Sequence, residues 1–307
     1  MENRATFGWK SELKAMPESG KIWETKDSGG VDEMEVLCST GALIGRPNGR
    51  DYHLLEELVG RLSCDGFEFM MYDSWYGEQD EIVTFLRKLG LHIPVMHCEK
   101  RIGEMISIGG AEGSVEAFRL FEINCRMARA LGAEKLVLHL WDGLTSDSNF
   151  ENNLEAYGEL SRIADGYGIM ILVENVVCNV ASPFGHWRQL AERYPDVRFV
   201  FDTKMAAFHQ EEGLLYQPEY AWLWNRQCIR HYHVNDYGGG YREWAKLRTL
   251  PIGAGHVDFG RFFDCVLRSG YDGTFTVEAT AFGQDGRVDT EMLNGCFAKI
   301  RTYVGKG

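Results

Sequence analysis

Ile229-Arg-His-Tyr-His-Val-Asn-Asp236 is a short run, partly apolar at alternating positions, followed by Tyr237 and by Gly238-Gly239-Gly240. Successive side chains of a strand point to opposite faces, so His231, His233 and Asn235 share one face and Tyr232, Val234 and Asp236 the other. Such a strand climbs out of a core and delivers imidazole, amide and carboxylate to a loop mouth. Depth along the strand separates the two histidines. His233 lies nearer the C-terminal end, and His231 sits about 6 to 7 Å lower, where a buried neutral imidazole is expected.

Seven other runs of the same kind accompany it. They are Glu35-Val-Leu-Cys-Ser-Thr40, Gly66-Phe-Glu-Phe-Met-Met-Tyr72, Leu91-His-Ile-Pro-Val-Met-His97, Lys135-Leu-Val-Leu-His-Leu140, Ile169-Met-Ile-Leu-Val-Glu174, Arg198-Phe-Val-Phe-Asp202 and Thr274-Phe-Thr-Val-Glu278. Between and after them the spacing predicts helices over residues 51–63, 78–89, 112–131, 153–167, 186–193, 214–225, 259–269 and 290–303. Short apolar runs alternating with amphipathic segments indicate parallel strands covered on both faces. Gly90, Gly132, Gly168 and Gly270 each end a helix just before a strand. Eight such units predict a single-domain (β/α)8 TIM barrel over residues 34–307, preceded by a polar extension, 1–33. An open doubly wound sheet is the rival, but no Gly-rich fingerprint follows the first strand.

The 307 residues are 45% hydrophobic and 25% charged, as expected of a globular enzyme. No apolar stretch is long enough to span a membrane, and the first 33 residues lack an apolar signal core, so a cytoplasmic location is expected. The eight cysteines form no C-x-x-C pair and read as reduced thiols. A net charge of −13 weighs against a nucleic-acid partner.

Six predicted strands end in a side chain able to bind metal or move a proton: His97, His139, Glu174, Asp202, His233 and Glu278. In a barrel the C-terminal strand ends converge on one mouth, which would make neighbours of residues far apart in sequence. Two glutamates, an aspartate and a histidine suit one Mn²⁺, Mg²⁺, Co²⁺ or Zn²⁺ ion in an open site. A metal-free carboxylate cluster is the alternative, at the cost of burying three carboxylates without a cation.

The ordered motifs Leu-Val-Glu-Asn at 172–175, Phe-Asp-Thr at 201–203, His-Val-Asn-Asp at 233–236 and Val-Glu-Ala at 277–279 resemble the xylose-isomerase-like TIM-barrel superfamily. The sugar phosphate isomerase/epimerase branch is the nearest in pattern. The resemblance implies metal ligands Glu174, Asp202, His233 and Glu278, with Glu174 and Glu278 also the catalytic proton-transfer pair. It implies a small sugar, keto-sugar or sugar phosphate as substrate and proton abstraction through an enediolate. His97 and His139 match positions that face the substrate or bind extra metals in relatives. A lyase of the inosose-dehydratase type and, further off, an apurinic endonuclease share the scaffold. Against the endonuclease, Met205 stands where a further zinc-binding histidine is expected, and His209 lies a few residues later.

Other residues carry weaker signals. Trp75 and Trp141 are candidate apolar walls for a sugar, and rim packing is the plainer role. Arg242, Lys246 and Arg248 are candidates for gripping a phosphate or carboxylate, or a solvated charge run. Glu99 and Lys100 either orient substrate or face solvent. Gly253-Ala254-Gly255 is a possible anion cradle, more often only a turn. Homo-oligomers occur in such families, and this sequence leaves that open.

Overall fold

The computed structural model describes residues 34–142 and 146–305; the reading of residues 1–33, including Trp9 and Trp23, lies outside them. Eight strands, β1 (Glu35–Ser39), β2 (Gly66–Met70), β3 (Val95–His97), β4 (Lys135–Leu138), β5 (Met170–Glu174), β6 (Arg198–Asp202), β7 (Ile229–His233) and β8 (Thr274–Val277), run parallel in sequence order. β8 pairs with β1 and closes the barrel.

The helices are α1 (Leu55–Leu58), α2 (Gln79–Leu89), α3 (Arg101–Leu131), α4 (Phe150–Tyr167), α5 (Pro183–Arg193), α6 (Thr203–Phe208), α7 (Ala221–Asn225), α8 (Phe259–Arg268) and α9 (Thr290–Tyr303). None among the described residues is long and apolar enough to cross a membrane. Gly132 closes α3 with φ 83° and Gly168 closes α4 with φ 67°, a left-handed turn that costs glycine little.

Three helices depart from the predicted spacing. The segment 51–63 keeps only one α-helical turn, α1, between the 3-10 turns Tyr52–Leu54 and Val59–Arg61, because Gly60 weakens its continuation. In 214–225, Pro218 lacks the amide a helix needs, and two 3-10 turns lead into α7. α3 begins earlier than predicted, at Arg101, and breaks at Gly110, whose φ of 51° and ψ of −133° no helix contains.

Two layers of core follow from the strand alternation. Leu37, Val95, Val137, Leu172 and Val200 form a small apolar cluster of their own, separate from the large cluster that includes the helix side chains. Two positions further along the same strands stand Ser39, His97, His139, Glu174 and Asp202. Period-two geometry therefore sets the polar strand ends directly above an apolar plug. β6 and β7 shift register between Phe199 and Val200, so that His231 partners Val200 and His233 partners Asp202. That irregularity fixes which β7 residue reaches the polar layer.

Candidate active site

The polar layer is almost fully buried. His97, Asp202 and His233 are 0% exposed, Glu174 1% and His139 3%, and the Glu278 side chain is 11% exposed. One donor atom from each of Glu174, Asp202, His233 and Glu278 lies within 4.8 Å of the others. His233 Nδ1 is the hub, 3.1 Å from Glu174 Oε1 and 3.4 Å from Glu278 Oε2. The second Glu174 oxygen, Oε2, turns to the other side of the mouth, 2.6 Å from His139 Nε2 and 3.5 Å from His97 Nε2. Neither contact is aligned as a hydrogen bond, so Glu174 Oε2 and His97 Nε2 remain buried without one.

Two asparagines hold this arrangement. Asn175 follows Glu174, and its amide both accepts the Asp202 N–H at 2.6 Å and donates to the Asp202 carbonyl at 3.0 Å. The Asn235 amide donates to Asp202 Oδ2 at 3.2 Å and Glu278 Oε2 at 3.1 Å, and its Oδ1 accepts the Glu278 N–H at 2.8 Å. Asp202 also caps α6, Oδ1 accepting the Met205 N–H at 2.8 Å. One Asp202 oxygen is thus committed to the helix and the other faces the cluster.

Charge balance is set by histidines. Burial alone would lower the His233 pKa, but the carboxylates of Glu278, Glu68 and Glu174 outweigh it and hold the imidazole well above its usual range. Burial likewise opposes ionisation of Glu174, and His139 and His233 reverse that, keeping its carboxyl well below the ordinary range. Burial pushes Asp202 up to about 6, helped by Glu174 and Glu278 and opposed by Lys204. Lys204 Nζ stands 3.8 Å from Asp202 Oδ2. Burial works against the Lys100 charge, and Glu278, Glu174, Asp142 and Asp202 sustain it.

Glu68, Lys204, Asn175 and Asn235 are site residues that the strand-end pattern does not single out. Glu68 is 0% exposed in mid-β2, its Oε2 2.9 Å from His231 Nε2 and 3.1 Å from His233 Nε2. Its one signal in the sequence is a carboxylate between Phe67 and Phe69 in an otherwise apolar strand.

Other candidates have partners of their own within the fold. Trp75 packs against Phe69 with ring centroids 5.7 Å apart, and its indole N–H donates to the Arg50 carbonyl. Trp141 is fully buried, donating to the Val176 carbonyl and packing on Phe150 and His186. Arg242 donates to Asn179 Oδ1 at 3.0 Å, and Lys246 pairs with Glu243 at 3.1 Å. Glu99 is 4% exposed and accepts from Arg101. The Gly253-Ala254-Gly255 turn wraps this chain's own carboxylate, Asp236, whose Oδ2 accepts the N–H of Gly253 and Gly255. His209 accepts the Cys178 N–H through Nε2, outside the carboxylate cluster. The side chain of Met205 is nearly buried and offers no ligand in place of a histidine.

The residues fit a divalent cation. Ligands on opposite sides of such an ion stand about 4.2 Å apart, comparable with the spread of these four donors. Three carboxylates this deeply buried call for a compensating charge. A Glu174 oxygen and a His97 nitrogen without an aligned partner leave further donors at the same mouth.

The profile of the xylose isomerase-like TIM barrel family matches residues 57–293. No curated protein sequence matches the chain. Among solved structures, D-allulose 3-epimerase from Methylomonas sp. superposes with a TM-score of 0.64 at 17% identity, over 88% of this chain and 97% of that one. 3-Keto-D-glucoside 4-epimerase from E. coli gives 0.60 at 18% identity, over 88% and 100%. The IolI protein with a bound zinc atom gives 0.66 at 16% identity, over 89% and 99%.

Proposed function

The chain belongs to the xylose isomerase-like TIM barrel family, and from that membership and its site we propose that it is a divalent-metal-dependent isomerase or epimerase of a small sugar, keto-sugar or sugar phosphate. The observation that carries the reading is the convergence of Glu174, Asp202, His233 and Glu278 at one barrel mouth. Two similar structures are sugar epimerases and a third holds zinc, which supports the same class.

In this reading Glu174 Oε1, Asp202 Oδ2, His233 Nδ1 and a Glu278 oxygen hold the ion. The bound cation supplies Lewis acidity that lowers the barrier to removing a proton beside a carbonyl. Glu174 and Glu278 are the proton-transfer groups. Glu174 Oε2 is free of His233 and lies 2.6 Å from His139 Nε2, whose charge offsets part of its own. Glu278, the most exposed of the four, meets the substrate from the open side. Two bases on separate strands let one remove a proton and the other return it to the opposite face, giving an epimer. Return to the neighbouring carbon by a single base gives an isomer. Lys100 supplies a cation at the mouth for a substrate oxygen.

The test begins with metal analysis of the purified protein and of its Glu174→Gln variant. Protein without divalent metal, together with unchanged metal binding by the variant, would sink the site assignment. A panel of ketoses and polyols in deuterated water then separates the reactions. Carbon-bound deuterium with all oxygens retained supports isomerisation or epimerisation. Loss of water supports the inosose-dehydratase type of lyase, and cleavage of an abasic duplex supports the endonuclease.

A further inference from the structure

His233 reaches the mouth through Nδ1, so its other ring nitrogen must be satisfied below. Nε2 meets Glu68 Oε2 at 3.1 Å, and the same oxygen meets His231 Nε2 at 2.9 Å. His231 Nδ1 continues to Thr274 Oγ1 at 2.6 Å, and Lys135 Nζ donates to that hydroxyl at 3.4 Å. Thr276 Oγ1 also stands 2.9 Å from His231 Nε2. Glu68, His231 and His233 are all 0% exposed, so water cannot replace these bonds. The chain of contacts runs from the N-terminal side of the barrel to the mouth.

Its direction follows from elementary donor chemistry. An ionised carboxylate only accepts. Glu68 therefore accepts a hydrogen bond from the Nε2–H of each histidine, and both come to a single oxygen, since Oε1 has no partner. An imidazole with one proton, placed on Nε2, has its lone pair on Nδ1. For His231 that lone pair accepts a hydrogen bond from the Thr274 hydroxyl. For His233, Nδ1 faces Glu174 and Glu278, and a cation that replaces the proton between them leaves the Nε2–H form with its lone pair on Nδ1.

We propose that Glu68 is a positioning residue that fixes the Nε2–H tautomer and ring orientation of His233, with His231 and Thr274 holding Glu68 in place, so that Nδ1 is presented to a divalent cation. This rests on the metal-site reading above. Carboxylates behind a ligating histidine orient it and raise its basicity, and their removal costs 10–100-fold in metal affinity. The sequence placed His231 in the packed layers as a structural residue; its contact with Glu68 links it to the site.

The experiment compares Zn²⁺ and Mn²⁺ affinities of the full chain, measured by chelator competition, for the wild type, Glu68→Gln, Glu68→Asp and His233→Ala. Glu68→Gln is expected to bind about 10–100-fold more weakly. Glu68→Asp, which keeps the charge, is expected to recover part of that loss, a rescue that a purely space-filling role would not produce. ¹⁵N spectra of the zinc-loaded wild type are expected to show His233 with Nδ1 bound and Nε2 protonated. That spectrum decides the matter even where Glu68→Gln fails to fold. Zinc on Nε2, or affinity unchanged in Glu68→Gln while His233→Ala abolishes binding, overturns this inference alone. A wild-type chain that binds neither ion overturns the proposed function and this inference with it.

Discussion

Asn235 ties three strands' worth of chemistry together with one amide. Its two N–H groups hold Asp202 and Glu278, and its carbonyl fixes the Glu278 backbone. All of this is buried, so truncation leaves charged acceptors short of donors rather than merely losing contacts. Asn235→Ala is expected to destabilise the chain by about 1–3 kcal/mol, read as a lower urea midpoint. Asn235→Asp is expected to do worse, because it replaces the shared donor with a fourth negative group. An unchanged midpoint in both would show that other groups hold the carboxylates. At this scale the sequence revealed the strand-end residues because each closes an apolar run. Glu68 was hidden because it sits mid-strand, where only closure of the barrel shows which side chains lie above and beside it. Asn175 and Asn235 were visible within the motifs, but their partners belong to other strands and no spacing encodes them.

The loop after β7 shows the same limit at the level of elements. Asp236 directly follows His233-Val-Asn235, and alternation puts it on the opposite face. In the structure its two oxygens accept four backbone N–H groups, from Tyr237 and Val257 on Oδ1 and from Gly253 and Gly255 on Oδ2. One side chain thus folds a segment about twenty residues downstream onto the strand end. Gly255 has no room for a side chain, since a Cβ there would fall 2.2 Å from the Tyr237 carbonyl oxygen. Asp236→Ala is expected to cost at least about 2 kcal/mol, given the worth of hydrogen bonds to a charged group. It should also open residues 250–258 to proteolysis before the barrel itself unfolds. Cleavage elsewhere first would contradict that picture. Strands were legible to within a few residues because parallel strands buried on both faces read as short apolar runs; α1 and the segment before α7 were not, because single glycine and proline positions outweigh a correct apolar spacing.

Across the whole molecule, three histidines outside the mouth are kept neutral. Burial lowers His231, His186 and His209 to about 4 each, against an ordinary value of about 6.5. Between those values the unfolded chain binds protons that the folded chain does not, so stability rises with pH across that window. Stability is therefore expected to fall as pH drops below about 6.5 and to level off near 4 as far as these groups are concerned. His139 and His233 are shifted upward by their carboxylates, so their contribution is complete below about 6.5 and is lost at higher pH. The two sets can be separated at His186. Its ring stacks on Phe150 with centroids 3.6 Å apart, packs against Trp141, and has no hydrogen bond at either nitrogen. His186→Phe keeps an aromatic ring there, and Asp147, 3.9 Å from Nε2, keeps the backbone N–H groups of Asn179, Val180 and Ala181. By linkage it should relieve about 2 kcal/mol of acid destabilisation at pH 5 and almost none at pH 8. Thermal melts of the two proteins at both pH values check this: the variant should gain on the wild type at pH 5 and the gap should shrink at pH 8. A gap of equal size at both would mean that packing of the larger ring, and not the neutral imidazole, sets the difference.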